Sequence, residues 1–131
     1  MRKNLELARE YIRAIESGAT GDALARFFTP DVAITEMPNR VALHGSVSDL
    51  TKALEAARRG QQLFKRQTYT ITNILGEGNW VALEMDWVGV TAVQIQNLAP
   101  NSEMHDHAAV FLEFRNGRIL RQRHYDCFEP W

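Results

Sequence analysis

The chain has 131 residues, 45% of them hydrophobic and 24% charged, with a formal net charge of -1. This length and balance suggest one globular domain spanning residues 1–131, and the near-neutral charge argues against nucleic acid or an anionic membrane as partner, since either needs a basic face. The single cysteine rules out an intrachain disulfide, and the absence of an apolar run of signal-peptide or membrane-spanning length points to a cytoplasmic protein.

In chain order, Asn4 is placed to cap a first helix carrying Leu5, Ala8, Tyr11, Ile12 and Ile15, with Gly18 as its stop. A short second helix follows Asp22 and ends at Pro30-Asp31. Residues 32–37 alternate as a strand, with Val32, Ile34 and Glu36 on one face. Pro38-Asn39 signals a turn. A third helix is expected from near Ser46, with Asp49 completing a capping box and Gly60 at its end. The remainder is β: a strand over 64–75, a turn at Gly76-Glu77-Gly78-Asn79, and a strand over 80–90 with a break at Gly89, which residues 91–96 can continue. A loop covers 97–102, and a last hairpin covers 103–128 around Asn116-Gly117. Helices followed by long strands give an α+β fold. A helix layer cannot close everywhere over a long bent sheet, and the gap is where a pocket belongs.

The Asn116-Gly117 turn sets a register for the last hairpin. If Arg115 faces Arg118 and pairing continues without interruption, Phe111 falls opposite Gln122, Ala109 opposite His124 and His107 opposite Asp126. His105, His107, His124 and Asp126 then share one face. Three readings fit such a cluster. His107 and Asp126 can form an acid/base pair, the carboxylate orienting the imidazole. The four residues can bind a metal, although their spacing matches no standard metal motif. They can equally be polar cross-strand pairs on a solvated or dimer-facing surface, since Ala108, Val110, Leu112, Phe114 and Ile119 make the opposite face the more apolar one. Glu36 is a second unusual residue, a carboxylate in phase with Val32 and Ile34. It is either at a strand end reaching water or in a pocket.

Three stretches carry a resemblance: Phe27-Phe28-Thr29-Pro30-Asp31-Val32 entering the first strand; His44-Gly45-Ser46 before the third helix; and residues 110–119 of the last hairpin together with Arg123-His124-Tyr125-Asp126. In their order and spacing the chain resembles the superfamily of nuclear transport factor 2, ketosteroid isomerase and SnoaL-like polyketide cyclases. The resemblance implies a cone-like fold, with three N-terminal helices on a strongly curved mixed or antiparallel sheet that encloses a pocket, and a homodimer. It places Glu36 where the isomerase has its general base and Tyr11 where it has its oxyanion tyrosine. Ala109 or Val110 stands in place of that enzyme's second aspartate, a departure from the pattern. His124 falls where limonene epoxide hydrolase has a catalytic aspartate.

The resulting expectation is a small-molecule pocket protein, active in proton transfer (isomerisation, cyclisation or dehydration) on a small, mostly apolar substrate with no metal and no cofactor. Glu36, His107, Asp126 and His124 are the catalytic candidates, and Tyr11, Phe111 and Trp87 the substrate-binding ones. The alternative is a non-catalytic ligand-binding or interaction module on the same fold. Two further expectations concern surfaces. Val110 and Leu112, with Trp80 or Trp87, form an exposed patch on which two copies pair, and Phe128 and Trp131 pack onto the body of the protein.

Overall fold

A computed structural model describes residues 2–131. Helix α1 runs Arg2–Glu16, α2 Asp22–Ala25 and α3 Leu50–Leu63; the strands are β1 Phe28–Glu36, β2 Ser46–Ser48, β3 Phe64–Glu77, β4 Trp80–Thr91, β5 Glu103–Arg115 and β6 Arg118–Phe128. One mixed sheet has the order β2-β1-β6-β5-β4-β3. The β1–β6 pair is parallel, and the other neighbours are antiparallel.

Helix α1 begins before Asn4, which lies within it rather than capping it. Its end is as expected. Gly18 takes φ +86°, and its N–H and that of Ala19 donate to the carbonyls of Ile15 and Ala14. The third helix starts later than its capping pattern suggests. Ser46–Ser48 is drawn into a strand by antiparallel pairing with Ile34–Glu36, and Asp49 becomes the N-cap, accepting from Lys52 N at 2.9 Å. Strand β4 passes through Gly89 unbroken. A Cβ there would lie 2.4 Å from the Trp87 ring, so the glycine makes room for the indole. The strand stops at Thr91, whose hydroxyl donates to Ala99 O and accepts from Ser102 N, closing the following loop on itself.

The core lies between the helices and one face of the sheet. Ala8, Tyr11 and Ile12 of α1 meet Leu24, Phe27, Phe28 and Val32, and behind them Val81, Leu83, Met85, Val110, Leu112, Phe114 and Ile119. Val110 and Leu112 are 1% and 0% exposed, so they belong to this core and not to an exposed patch. Helix α3 differs. Its apolar residues face the sheet, yet none is fully buried. The space beneath it is only partly filled.

The last hairpin corrects the expected register. Asn116 and Gly117 both have positive φ, as a type I′ turn requires, and Arg115 faces Arg118 and Phe114 faces Ile119. The ladder then slips. Leu120 is an extra residue in β6, and Glu113 pairs with Arg121. The β1–β6 ladder is irregular over the same stretch, where Ile119 N is tied to Phe27 O at 2.7 Å. Beyond the bulge Val110 faces His124, Ala108 faces Asp126, and His107 faces Cys127. One slipped residue thus moves His124 and Asp126 onto the core face and leaves His105 and His107 on the other.

Candidate functional site

Under α3 lies a cavity of about 310 Å³. Its walls are largely apolar, formed by Ile15, Leu24, Phe28 and Ile34 with the small residues Ala53, Ala56 and Ala57 of α3. Polar groups reach it from the sheet and from α1: Tyr11, Glu36, Gln67, Tyr69, Gln122 and His124. A smaller cavity of about 140 Å³ adjoins it, lined by Met85, Trp87, Ala108 and Phe128 together with Asp106 and Asp126. Gln67, Tyr69 and His124 border both spaces.

Alternation along β6 after the bulge sends Gln122, His124 and Asp126 inward in succession. His124 Nε2 lies 2.9 Å from Asp126 Oδ1, and Glu36 is the parallel-strand partner of His124 on β1. Asp106, 5% exposed on β5, completes the group. Burial, the hydrogen bond with Asp126 and the charge of Asp126 push its carboxyl up to about 9. For Asp126 burial acts upward too, but hydrogen bonds from His124 and Asp106 outweigh it and hold that carboxyl below the usual range. At neutral pH the pair is therefore one neutral acid donating to one carboxylate. The Oδ1 atom of Asp106 is buried and has no hydrogen-bond partner among the described residues.

The ligand atoms of Asp106, His124 and Asp126 lie within 4.8 Å of one another, close enough to surround one cation. With Asp106 neutral the trio offers a single negative charge, and that charge faces His124.

The tyrosines are neutral donors. Burial, then the neighbouring Tyr69, raise the Tyr11 hydroxyl, and burial, then the charge of Asp126, raise that of Tyr69. Tyr11 OH donates to Gln122 Oε1 at 2.7 Å, so its only proton is spent inside the protein. Gln67 Oε1 accepts from Trp87 Nε1 at 3.0 Å and from Tyr69 OH at 3.3 Å.

Of the residues singled out from sequence, Glu36, His124 and Tyr11 line the larger cavity, and Asp126 and Trp87 line the smaller one. Two do not belong. His107 lies on the outer face, 2.7 Å from Asp86 and 2.9 Å from Glu129, and its pKa is raised by those two carboxylates. It makes no pair with Asp126, because the bulge separates them. Phe111 is 37% exposed on the same outer face, edge-on to Tyr125. His105 also stays outside, beside Glu103. Asp106 and Gln122 are the residues that sequence reasoning missed. Asp106 has a legible signal, since it is in phase with Ala108, Val110, Leu112 and Phe114 just as Glu36 is with Val32 and Ile34.

A model of the SnoaL-like domain matches residues 8–122. No protein of curated function matches the chain in sequence. Among solved structures, IdmH of Streptomyces antibioticus, a proposed polyketide cyclase, superposes with a TM-score of 0.75 at 20% identity, covering 96% of this chain and 91% of its own. An LEH-like epoxide hydrolase of M. tuberculosis gives 0.73 at 14% identity, over 96% and 84% of the two chains. PrhC of Penicillium brasilianum gives 0.80 at 10% identity, over 96% and 81%. At these identities the likeness is one of fold, the helix-covered cone of nuclear transport factor 2-like proteins.

Proposed function

The chain belongs to the SnoaL-like family, and we propose that it is a single-domain pocket protein that moves a proton on a small, mostly apolar molecule held beneath α3. One observation carries this reading: His124 borders both cavities with Nε2 held by Asp126, while its Nδ1 makes no hydrogen bond among the described residues. A carboxylate on one ring nitrogen orients the imidazole and leaves the other to exchange a proton with a bound molecule. The imidazolium that forms is flanked by Asp126 and by Glu36 on the next strand. Asp106 keeps Asp126 in place by donating to it. Isomerisation, cyclisation and dehydration all need such a group, and none of them requires a cofactor. IdmH, with the same fold, is described as a proposed polyketide cyclase, which agrees with this class of chemistry.

A second reading, a binding module without catalysis, is favoured by the contacts of Tyr11 with Gln122 and of Gln67 with Trp87 and Tyr69, where polar groups of the pocket satisfy one another. Mass-spectrometric profiling of a cell extract incubated with the protein separates the two. Catalysis predicts a compound converted to an isomer, or to a product lighter by one water, by the wild type and not by His124→Ala. A compound that is retained but unchanged by both contradicts catalysis.

We also infer that two copies pair through the outer face of the sheet, where Phe111, Tyr125 and Leu75 are exposed beside Trp80.

A further inference from the structure

Asp106 is 5% exposed and lines the smaller cavity, where its Oδ1 has no hydrogen-bond partner among the described residues. A buried carboxylate oxygen without a partner is costly unless something in the cavity meets it. Strand register says what could. Asp106 faces Phe128 and Ala108 faces Asp126, so the two carboxylates are diagonal neighbours on adjacent strands. His124 precedes Asp126 by two residues on the same face, with Nε2 2.9 Å from Asp126 Oδ1. One donor atom from each of the three lies within 4.8 Å of the others, and no other three His, Cys, Asp or Glu side chains among the described residues converge in this way. The outer face makes the contrast. His107 also has two carboxylate neighbours there, but Asp86 is at Nδ1 and Glu129 at Nε2, on different edges of the ring, so the three donors cannot meet at one point.

We propose that Asp106, His124 and Asp126 form a binding site for one divalent first-row transition ion, of which zinc is the natural probe. A cation about 2.1 Å from each of two donors holds them about 3.0–3.4 Å apart, so His124 and Asp126 already stand close to bridging distance, and Asp106 completes the set by turning its carboxyl. Charge fits as well as distance. Among the described residues lining the cavity there is no lysine or arginine, and two carboxylates with a neutral imidazole exactly balance a divalent ion. The proton that Asp106 shares with Asp126 leaves to solvent as the cation enters, and no electron is transferred. The cavity, of about 140 Å³, has room for the ion and a few waters at roughly 30 Å³ each, so coordination positions stay open. The mixed nitrogen and oxygen donors favour zinc over magnesium, which prefers oxygen alone. This inference goes beyond the proton-transfer reading and does not depend on it. A cation on Nε2 lowers the basicity of the ring, so metal binding and proton transfer are alternative uses of one imidazole.

The test is a calorimetric titration of the chelator-treated full chain with Zn²⁺, without substrate, followed by NMR of the histidine rings with Co²⁺ in place of zinc. The wild type should bind one Zn²⁺ per chain, with no competition from equal Mg²⁺, and Co²⁺ should displace the ring signals of His124. Asp106→Asn, which keeps the shape and removes an anionic ligand, and His124→Ala should each weaken binding at least tenfold, about the least that loss of a ligand costs. A double variant of the outer face, His105→Ala with His107→Ala, should bind as the wild type does. No zinc binding by the wild type, or an affinity that survives both Asp106→Asn and His124→Ala, would overturn the proposal. So would an affinity that falls in the outer-face double variant alone, which would mark an adventitious surface ion. If Asp106→Asn does not fold, the Co²⁺ spectrum of the wild type still decides, since unmoved His124 signals refute the site. Because no substrate is present, failure here leaves the proton-transfer reading untouched.

Discussion

At the scale of single residues, the pair Asp106–Asp126 has a consequence for stability. An ordinary aspartate titrates near 3.8, whereas Asp106 is raised to about 9. Between those values the folded chain holds a proton that the unfolded chain has released, so stability falls as pH rises through that window. Asn at position 106 supplies the same acceptor and an N–H for Asp126 without having to retain a proton. Asp106→Asn should therefore be more stable than the wild type at pH 8, by more than about 1 kcal/mol, with an advantage that shrinks towards pH 5. Thermal melts across that range check this, and parallel curves would contradict it. Much about these residues is legible in sequence. Glu36 stands out because a carboxylate in phase with Val32 and Ile34 belongs either at a strand end or in a pocket, and the structure places it on the cavity wall; the same phase argument marks Asp106. Gln122 carries no such mark, since a glutamine on a strand is unremarkable until Tyr11 is seen to hold it.

At the scale of elements, Leu120 explains why the histidine cluster was misplaced. Turn chemistry fixes the first two pairs of the last hairpin and cannot report a bulge two residues further on. Apolar patterning on β5 correctly marks Ala108 to Phe114 as the inner face, and only the bulge puts His124 and Asp126 there as well. Helix α3 makes a second point. Ala53, Ala56 and Ala57 leave room that larger residues would occupy. Ala57→Phe should fill the cavity and weaken ligand binding at least tenfold, while destabilising by no more than about 1–3 kcal/mol, the cost of bulk forced into a core that is already packed. Calorimetry on the variant reads both. The C-terminal segment is tied down as its aromatics suggest. Phe128 packs edge-on to Trp87 and Trp131 at 6.2 and 5.6 Å, and Arg40 stacks on Trp131 at 4.0 Å and donates to its backbone oxygen. Trp131→Ala should cost on the order of 1–3 kcal/mol in chemical denaturation, and an unchanged midpoint would show the packing to be incidental.

At the scale of the whole molecule, the α+β class was readable from helices followed by long strands and the cone from the resemblance, whereas the short strand β2 was not, since only pairing with β1 draws Ser46–Ser48 out of the helix pattern. No helix among the described residues is long and apolar enough to cross a membrane. The proposed pairing would use the outer face of the sheet, with other residues than the sequence suggested. Val110 and Leu112 are core, while Phe111, Tyr125 and Leu75 are exposed, and Arg123 lies over the Trp80 and Phe111 rings at 5.0 and 5.5 Å. Light scattering should give twice the 14.9 kDa chain mass, and Phe111→Arg, which places a second cation beside Arg123, should return it to a single chain.

Hydrogen exchange at carbon bears most directly on the pocket's chemistry. Small ketones and enones that bind the protein are incubated with it in D₂O, and deuterium entering beside the carbonyl is followed by NMR. The wild type should speed this entry for at least one of them, His124→Gln should reduce the rate by about 10²-fold or more, and Asp126→Asn should also slow it. Exchange as fast in His124→Gln as in the wild type, or none for any compound that binds, would contradict a proton-transfer pocket built on His124.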